Sequence, residues 1–193
     1  MLLSDLSRIR TAVVFRGSSP QEEPQGNVRA IAIRDLVASG PVSVERLPLI
    51  QLDEKYLSHC LRHGDIVMPS RGDYYKAWCF EGAEQPVFPL GQLNIISVND
   101  RLDARYLTWY LNQPTTQARI GTMLTGTNIK ALTKAGLSTL EVDVPGMESQ
   151  RQIAELEHTL QQIAATRHRL TEIDKAEVAY LTQIVLQRGL SDA

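Results

Sequence analysis

The fold is decided by residues 145–189, which read PGMESQRQIAELEHTLQQIAATRHRLTEIDKAEVAYLTQIVLQRG. After Pro145-Gly146 no proline occurs, and glycine returns only at Gly189. Because proline and glycine are the residues that most disfavour helix interiors, residues 148–188 are predicted to form one continuous helix. At 1.5 Å per residue it would be roughly 60 Å long, far longer than an ordinary domain helix, so we expect it to pack against a partner.

Apolar residues recur along this helix at alternating spacings of three and four, the pattern of a coiled-coil seam. Polar residues interrupt the same track at Arg167, Asp174 and Glu177. These interruptions favour a helix pair with a polar middle, or a second partner there, over a long uniform parallel dimer. The predicted dimer and partner surface consists of Ile153, Leu156, Leu160, Ile163, Leu170, Leu181 and Ile184.

The chain before Pro145 has a different pattern, with short apolar runs separated by turn residues. Such runs predict strands over residues 11–15, 28–33, 47–52, 65–68, 76–80 and 93–98, and a strand-like run over 137–144. Two helices are predicted, over residues 105–112, with Asp103 as cap, and over 116–124. The predicted fold class is α+β, with a compact mixed-sheet domain over residues 1–145 and one long C-terminal coiled-coil helix over residues 146–193.

Composition excludes several classes of protein. With 43% hydrophobic and 22% charged residues, the 193-residue chain is predicted to fold rather than to be disordered. It has no apolar run of about 18 residues and no secretion signal, so we expect no membrane partner and a cytoplasmic location. The net charge of −2 disfavours non-specific coating of nucleic acid, and any phosphate contact would need basic residues clustered in space.

The sequence carries no recognisable catalytic motif. The phosphate-binding loop, the dinucleotide fingerprint, the zinc-protease helix and the serine-hydrolase elbow are all absent from it. Its two cysteines and four histidines have no metal-ligand spacing. Amino-methyltransferases resemble one another in a segment with two adjacent prolines, and this chain has no such pair. We therefore predict no catalytic residue, no cofactor and no metal.

One enzymatic alternative stays open. Asp53 and Lys55 fit the acidic-x-Lys half of a metal-dependent nuclease, and Asp35 follows a predicted strand. Such a site needs carboxylates that converge on a divalent cation. In the other interpretation, Asp53 caps a short helix over residues 53–61 and Lys55 is a solvated charge.

Two segments have the side chains of a DNA-contacting surface. In residues 64–76, Arg71 and Lys76 can neutralise phosphates, Arg71 can form a fork with a guanine edge, and Tyr74 and Tyr75 can contact sugar or base. Alternatively, this segment is a hairpin whose tyrosines cover the sheet, a role that we expect for at least one of them.

The second segment is residues 124–130. Gly126 permits a turn, and Thr127, Asn128 and Lys130 offer hydroxyl, amide and ammonium donors to a phosphate. Alternatively, it is only a capping turn.

The order of these features resembles the specificity subunits of type I restriction-modification systems. The resemblance extends over nearly the whole chain, although each motif is short. The usual Pro-x-x-Glu-Gln helix entry appears here with a serine between Glu148 and Gln150. The features that carry the resemblance are a strand ending at Gly17, the segment 28–36, Gly64-Asp65-Ile66-Val67, a Tyr106-Leu107 helix, the Gly126-Thr127 turn, and residues 137–145 before a helix with Glu148, Gln150 and Ile153.

The resemblance implies a non-catalytic role in host defence. Residues 1–145 would be a target recognition domain for double-stranded DNA, and residues 146–193 would serve dimerisation and docking of an adenine methyltransferase subunit. A restriction nuclease subunit is a further partner in such systems. Family members resemble two halves in tandem, so this chain is expected to act as a half-subunit, and two copies would read a bipartite, inverted-repeat site. A structural adaptor that no longer reads DNA is the remaining alternative.

Overall fold

The computed structural model describes residues 1–15, 17, 20–37, 42–127 and 129–191, with side chains to residue 187. The chain divides into two compact units, Met1–Ala154 and Glu155–Ala193.

The first unit contains short helices and strands followed by the first turns of a long helix. The helices are α1 Leu3–Leu6, α2 Ile33–Val37, α3 Glu54–Leu57, α4 Ala104–Asn112, α5 Pro114–Thr122, α6 Lys134–Ser138 and α7 Met147–Ser191, with a 3₁₀ turn at Val44–Arg46. The strands are β1 Ser7–Thr11, β2 Val28–Ile31, β3 Leu49–Ile50, β4 Ile66–Pro69, β5 Trp78–Cys79, β6 Val87–Pro89 and β7 Leu93–Val98.

The strands form two sheets. The larger has the order β1-β7-β4-β5, and all its pairs are antiparallel. The smaller has the order β3-β2-β6, with β2 parallel to β6. One face of the larger sheet packs against α1, α4, α5 and α6 through a core that includes Ile9, Met68, Ile96, Leu107 and Leu137. The predicted α+β class with a long C-terminal helix is confirmed.

Some predicted elements are displaced. The first strand is Ser7–Thr11 rather than residues 11–15, and its buried Ile9 alternates with the more exposed Arg8 and Arg10. The run 137–144 was predicted as strand-like, but its first residues belong to α6. This helix is capped by the Thr133 hydroxyl, which accepts a hydrogen bond from the Gly136 amide. The short strand β6 was missed, and it is defined by its long-range parallel pairing with β2.

Asp65 ties three parts of the first unit together. Its side chain is almost fully buried, at 4% exposure, and lies 3.1 Å from the Arg10 guanidinium of β1. It also accepts hydrogen bonds from the Ser97 hydroxyl of β7, at 2.6 Å, and from the Arg62 amide, at 3.0 Å. Because a buried carboxylate needs such partners, Asp65 fixes the start of β4 against β1 and β7.

The first turns of α7 belong to the first unit. Gln150 is buried; its Nε2 donates to the carbonyls of Pro145 and Arg101, and its Oε1 accepts from the Asp103 amide. Ile153 packs against the main core. Ile153 therefore packs within the first unit while staying partly exposed, and its predicted place on the partner surface stays a prediction.

The second unit is the remainder of α7. Six of the predicted seam residues lie there; Leu156, Leu160, Ile163, Leu170 and Leu181 are exposed, and Ile184 is half-buried. In the part of the chain that the structure describes, no helix has both the length and the apolar character that crossing a bilayer requires.

Candidate DNA interface

The two segments predicted to contact DNA meet at one end of the larger sheet. Strand β4 ends at Pro69, which is paired with Leu93 at the start of β7. Residues 70–76 leave the sheet at this end, and the β6–β7 turn, residues 90–92, lies beside them. We call residues 70–76, 90–92 and the described residues of 124–132 the loop surface.

Backbone hydrogen bonds join the parts of the loop surface side by side. The Ser70 amide donates to the Gln92 carbonyl at 2.9 Å, and the Leu132 amide donates to the Ser70 carbonyl at 2.9 Å. Arg71 pairs with Ala131 in an antiparallel bridge, and Ala131 pairs in turn with Thr125. Although 60 residues separate them in sequence, the two predicted segments are neighbours in one hydrogen-bonded layer.

Part of this layer suits a duplex. Its four backbone segments, separated by three spacings of about 4.8 Å, span about 14 Å between their outer axes, more than the width of about 12 Å of the DNA major groove. The central pair, residues 70–72 and 130–132, is a short antiparallel ribbon, an element that a major groove admits.

The loop surface carries three exposed cations and one acidic residue. Arg71, Lys76 and Lys130 are exposed, as is Thr127, and no ion pair joins the three cations to a carboxylate in the described part of the chain. Asp73 is the one acidic residue of the loop surface. A local excess of positive charge therefore exists in a chain whose net charge is −2.

The two tyrosines have different positions. Tyr74 is 70% exposed, whereas Tyr75 is 5% exposed and its hydroxyl donates to the Lys130 carbonyl at 3.0 Å. Burial, with a smaller contribution from Asp73, raises the pKa of Tyr75. The predicted DNA contact of Tyr75 is therefore replaced by a structural role, in which it holds residues 70–76 against residues 124–132.

The turn at Gly126 depends on glycine. Its φ is +99°, and a Cβ atom there would lie 2.5 Å from the Ile129 carbonyl oxygen. Asn128, predicted as a phosphate donor, lies outside the described residues.

Sequence inspection missed the carboxamides that support the loop surface. The side-chain amide of buried Asn94 donates to the Leu132 carbonyl at 3.0 Å, and that of Gln117 donates to the Tyr75 carbonyl at 3.1 Å. Asn112 forms a reciprocal pair with the backbone of Ala77. In the sequence, such a support was indicated only by Asn94, a polar residue within the apolar run of β7.

The residues of the nuclease alternative are engaged elsewhere. Asp53 and Lys55 are exposed and pair with each other at 3.1 Å. Asp53 precedes α3 but makes no side-chain capping hydrogen bond, and that helix ends at Leu57 rather than at residue 61. Asp35 accepts a hydrogen bond from the Ala32 amide at 2.8 Å. Among the described residues, no group of three or more metal-ligating side chains converges. This geometry gives the nuclease alternative no support.

The sequence alone finds no relative: no protein-family model and no curated protein matches it significantly. Solved structures do match. The S subunit of the M. genitalium type I restriction-modification system aligns with 91% of this chain and 42% of its own, at 16% identity and a TM-score of 0.62. The HsdS subunit of Thermoanaerobacter tengcongensis aligns with 86% of this chain and 38% of its own, at 18% identity and a TM-score of 0.62.

A third match is a chain from a structure of the type I restriction-modification system, aligned over 96% of this chain and 44% of its own, at 18% identity and a TM-score of 0.63. The chain thus has the fold of a type I specificity subunit. It spans less than half of the length of each of these three chains.

Proposed function

We propose that the chain is a non-catalytic, DNA sequence-recognition subunit of a type I restriction-modification complex. The observation that carries the proposal is the loop surface, where two predicted DNA-contacting segments, remote in sequence, form one exposed basic layer on a fold similar to that of S subunits. In this role, residues 1–145 are the target recognition domain, and the chain acts in the cytoplasm, where the DNA is.

The side chains of the loop surface have distinct proposed roles. Arg71 lies on the central ribbon and can donate two hydrogen bonds to a guanine edge. Lys76 and Lys130 neutralise phosphates, with Thr127 and Asn128 as further donors. Exposed Tyr74 can pack against a sugar or a base.

The long helix, residues 146–193, is proposed to bind a second recognition half and an adenine methyltransferase subunit. At 100° per residue, Leu156, Leu160 and Ile163 lie within about 60° of the helix circumference. Between residues 170 and 185 the apolar side chains spread over about 160° of the helix circumference, with Tyr180 and Ile173 at one edge and Val178 at the other. The narrow stripe suits one partner helix, and the wide face offers room for more than one.

A second copy of the chain is the proposed second half. An isologous pair of identical helices would place two loop surfaces about a two-fold axis, and the target would then be a split inverted repeat. A restriction nuclease subunit is a further proposed partner.

DNA binding by the assembled complex tests the role of the loop surface. We expect Arg71→Ala to weaken binding of the cognate duplex by about 1–3 kcal/mol, and Lys130→Ala to weaken binding to all sequences and to lower the salt dependence. The control is Arg62→Ala, an exposed arginine at the opposite end of β4. Affinities for both variants equal to that of the control would reject these site assignments and favour the adaptor alternative.

Purification of the tagged chain from its own host tests the methyltransferase partner. Mass spectrometry should identify an adenine methyltransferase with the natural chain and much less of it with Leu181→Asp, which places a charge in the wide apolar face. Gln161→Asp, on exposed helix surface outside the narrow stripe, is the control. A natural chain that retains no methyltransferase would contradict the proposal.

A further inference from the structure

We infer that the outer face of the central ribbon is the base-reading face of the loop surface, and that the methyl groups of Ala131 and Thr125 on it contact a thymine beside the guanine bound by Arg71. The inference rests on the proposed function, since it names the face that reads bases and one base that it reads. Thymine alone carries a methyl group in the major groove, and alanine and threonine methyl groups are suited to contact it.

The register of the ribbon sets Arg71 and Ala131 side by side on one face. They are directly opposite each other in an antiparallel bridge. Two backbone hydrogen bonds between the flanking residues, 3.2 and 2.9 Å long, lie on either side of this bridge, so Arg71 and Ala131 form a non-hydrogen-bonded pair. In such a pair the Cα atoms are about 4.5 Å apart and the side chains are closest.

This face of the ribbon points away from the core. Successive side chains of a strand point to opposite faces, and Leu132, which follows Ala131, is 1% exposed and lies in the main core. Ala131 therefore points outward, together with Arg71 opposite it. In agreement with this orientation, Arg71 is exposed and Ala131 is half-buried.

Thr125 extends the same row of side chains to the next backbone segment. It is directly opposite Ala131, and the two residues exchange both backbone hydrogen bonds, at 3.0 and 2.8 Å, so their side chains share the outer face. The Thr125 hydroxyl also donates to the Ala131 carbonyl at 3.3 Å. Because its proton is used in this way, the exposed threonine offers its methyl group for an outward contact.

The row thus presents a guanidinium followed by two methyl groups, which suits neighbouring guanine and thymine bases. Arg71 can donate to O6 and N7 of the guanine, and the methyl groups beside it can pack on the C5-methyl group of the thymine. The small size of Ala131 is part of this fit, because its side chain is a single methyl group and lets the ribbon backbone approach the base edges. A larger side chain at this position would occupy the space of the thymine methyl group.

Binding of the selected target by variants of the row tests this inference. The complex copurified with the natural chain first selects its motif from randomised double-stranded DNA. We expect Ala131→Leu to bind this target about 5- to 100-fold more weakly, because three added carbon atoms overfill the contact with the thymine. Ala135→Leu, at an exposed alanine of α6, is the matched control and should bind as the natural chain does. Urea denaturation should show that both variants fold.

Uracil substitution tests the thymine itself, because uracil lacks only the methyl group. Each thymine of the target is replaced in turn. We expect one of them, next to a guanine, to be sensitive, with a loss of about fourfold in affinity for the natural chain. Thr125→Ser, which removes one methyl group and keeps the hydroxyl, should lose a similar factor on the thymine target and lose little on the uracil target.

The outcomes separate the inference from the proposed function. If the natural chain selects a motif and Ala131→Leu binds it with unchanged affinity, the outer face does not meet DNA, and the inference is wrong while the proposed function stands. A motif without a thymine next to a guanine, or no effect of uracil at any thymine, also overturns the inference alone. If the natural chain selects no motif, the proposed function fails, and the inference fails with it.

Discussion

The compact unit and the helix beyond Ala154 use apolar residues in opposite ways. In Met1–Ala154 the large apolar side chains pack against one another, and buried Asp65 and Gln150 have hydrogen-bond partners. Beyond Ala154, ten apolar side chains of α7 are between 43% and 70% exposed. Exposed apolar surface on this scale marks an interaction site. The first region is thus stabilised from within, whereas we propose that the second is covered by a partner.

Self-association through the helix should show the largest effect of a single substitution. Leu160→Asp removes one leucine from each of two paired helices, so we expect dimerisation to weaken by about 4 kcal/mol, roughly a thousandfold. Sedimentation equilibrium measures this change, with Gln161→Asp as control. A natural chain that is monomeric at high micromolar concentration would contradict pairing between copies.

Disruption of the Asp65 network should give the largest loss of stability within the compact unit. Asp65→Ala leaves the Arg10 guanidinium and the Ser97 hydroxyl without their carboxylate, and we expect the free energy of unfolding to fall by about 3 kcal/mol. Urea denaturation followed by tryptophan fluorescence reports on this unit, because Trp78 and Trp109 both lie in it. The exposed carboxylate variant Asp53→Ala should change the midpoint little; equal losses would show that burial of Asp65 does not matter.

Gln150 should have a smaller, clearly measurable effect. Gln150→Ala leaves the Asp103 amide and two carbonyls without partners, which should cost about 2 kcal/mol in the same denaturation experiment. Gln152→Ala, two residues later on an exposed position, should cost less than about 0.5 kcal/mol. If the two variants are alike, the first turns of α7 are not anchored in the compact unit.

The smallest predicted effect is on how the free energy of unfolding depends on pH. Burial, with a smaller contribution from Glu81, raises the pKa of Cys79 to about 12. From about pH 9 upward the unfolded chain loses the thiol proton while the folded chain keeps it, so stability should fall as pH rises. Cys79→Ala should reduce this fall between pH 9 and 11, measured as the shift of the urea midpoint. A fall of the same size in the variant would assign it to other groups.

Local sequence patterns predicted the elements that local chemistry controls. The absence of proline after Pro145 predicted α7, and Asp103 caps α4 as expected, accepting from the amides of Arg105 and Tyr106. Arg71 and Lys130 were each predicted as DNA contacts from side-chain type and sequence context, and these roles stay predictions. Their meeting was not predictable, because it depends on an antiparallel bridge between residues 60 positions apart.

Burial explains the remaining differences. Tyr74 and Tyr75 are adjacent and chemically identical, yet Tyr75 is buried in the main core and donates to the Lys130 carbonyl, whereas Tyr74 is exposed. Ile153 continues the seam pattern in sequence, yet it packs into the compact unit because Gln150 anchors the helix one turn earlier.

A map of methylated adenines in the host genome tests the central claim most directly. Deletion of the gene for this chain should abolish methylation at one split sequence motif and leave other motifs unchanged. Restoration with the natural chain should recover that motif, whereas Arg71→Ala should leave it undermethylated. A methylation map unchanged by the deletion would contradict the claim that this chain directs a methyltransferase to its DNA target.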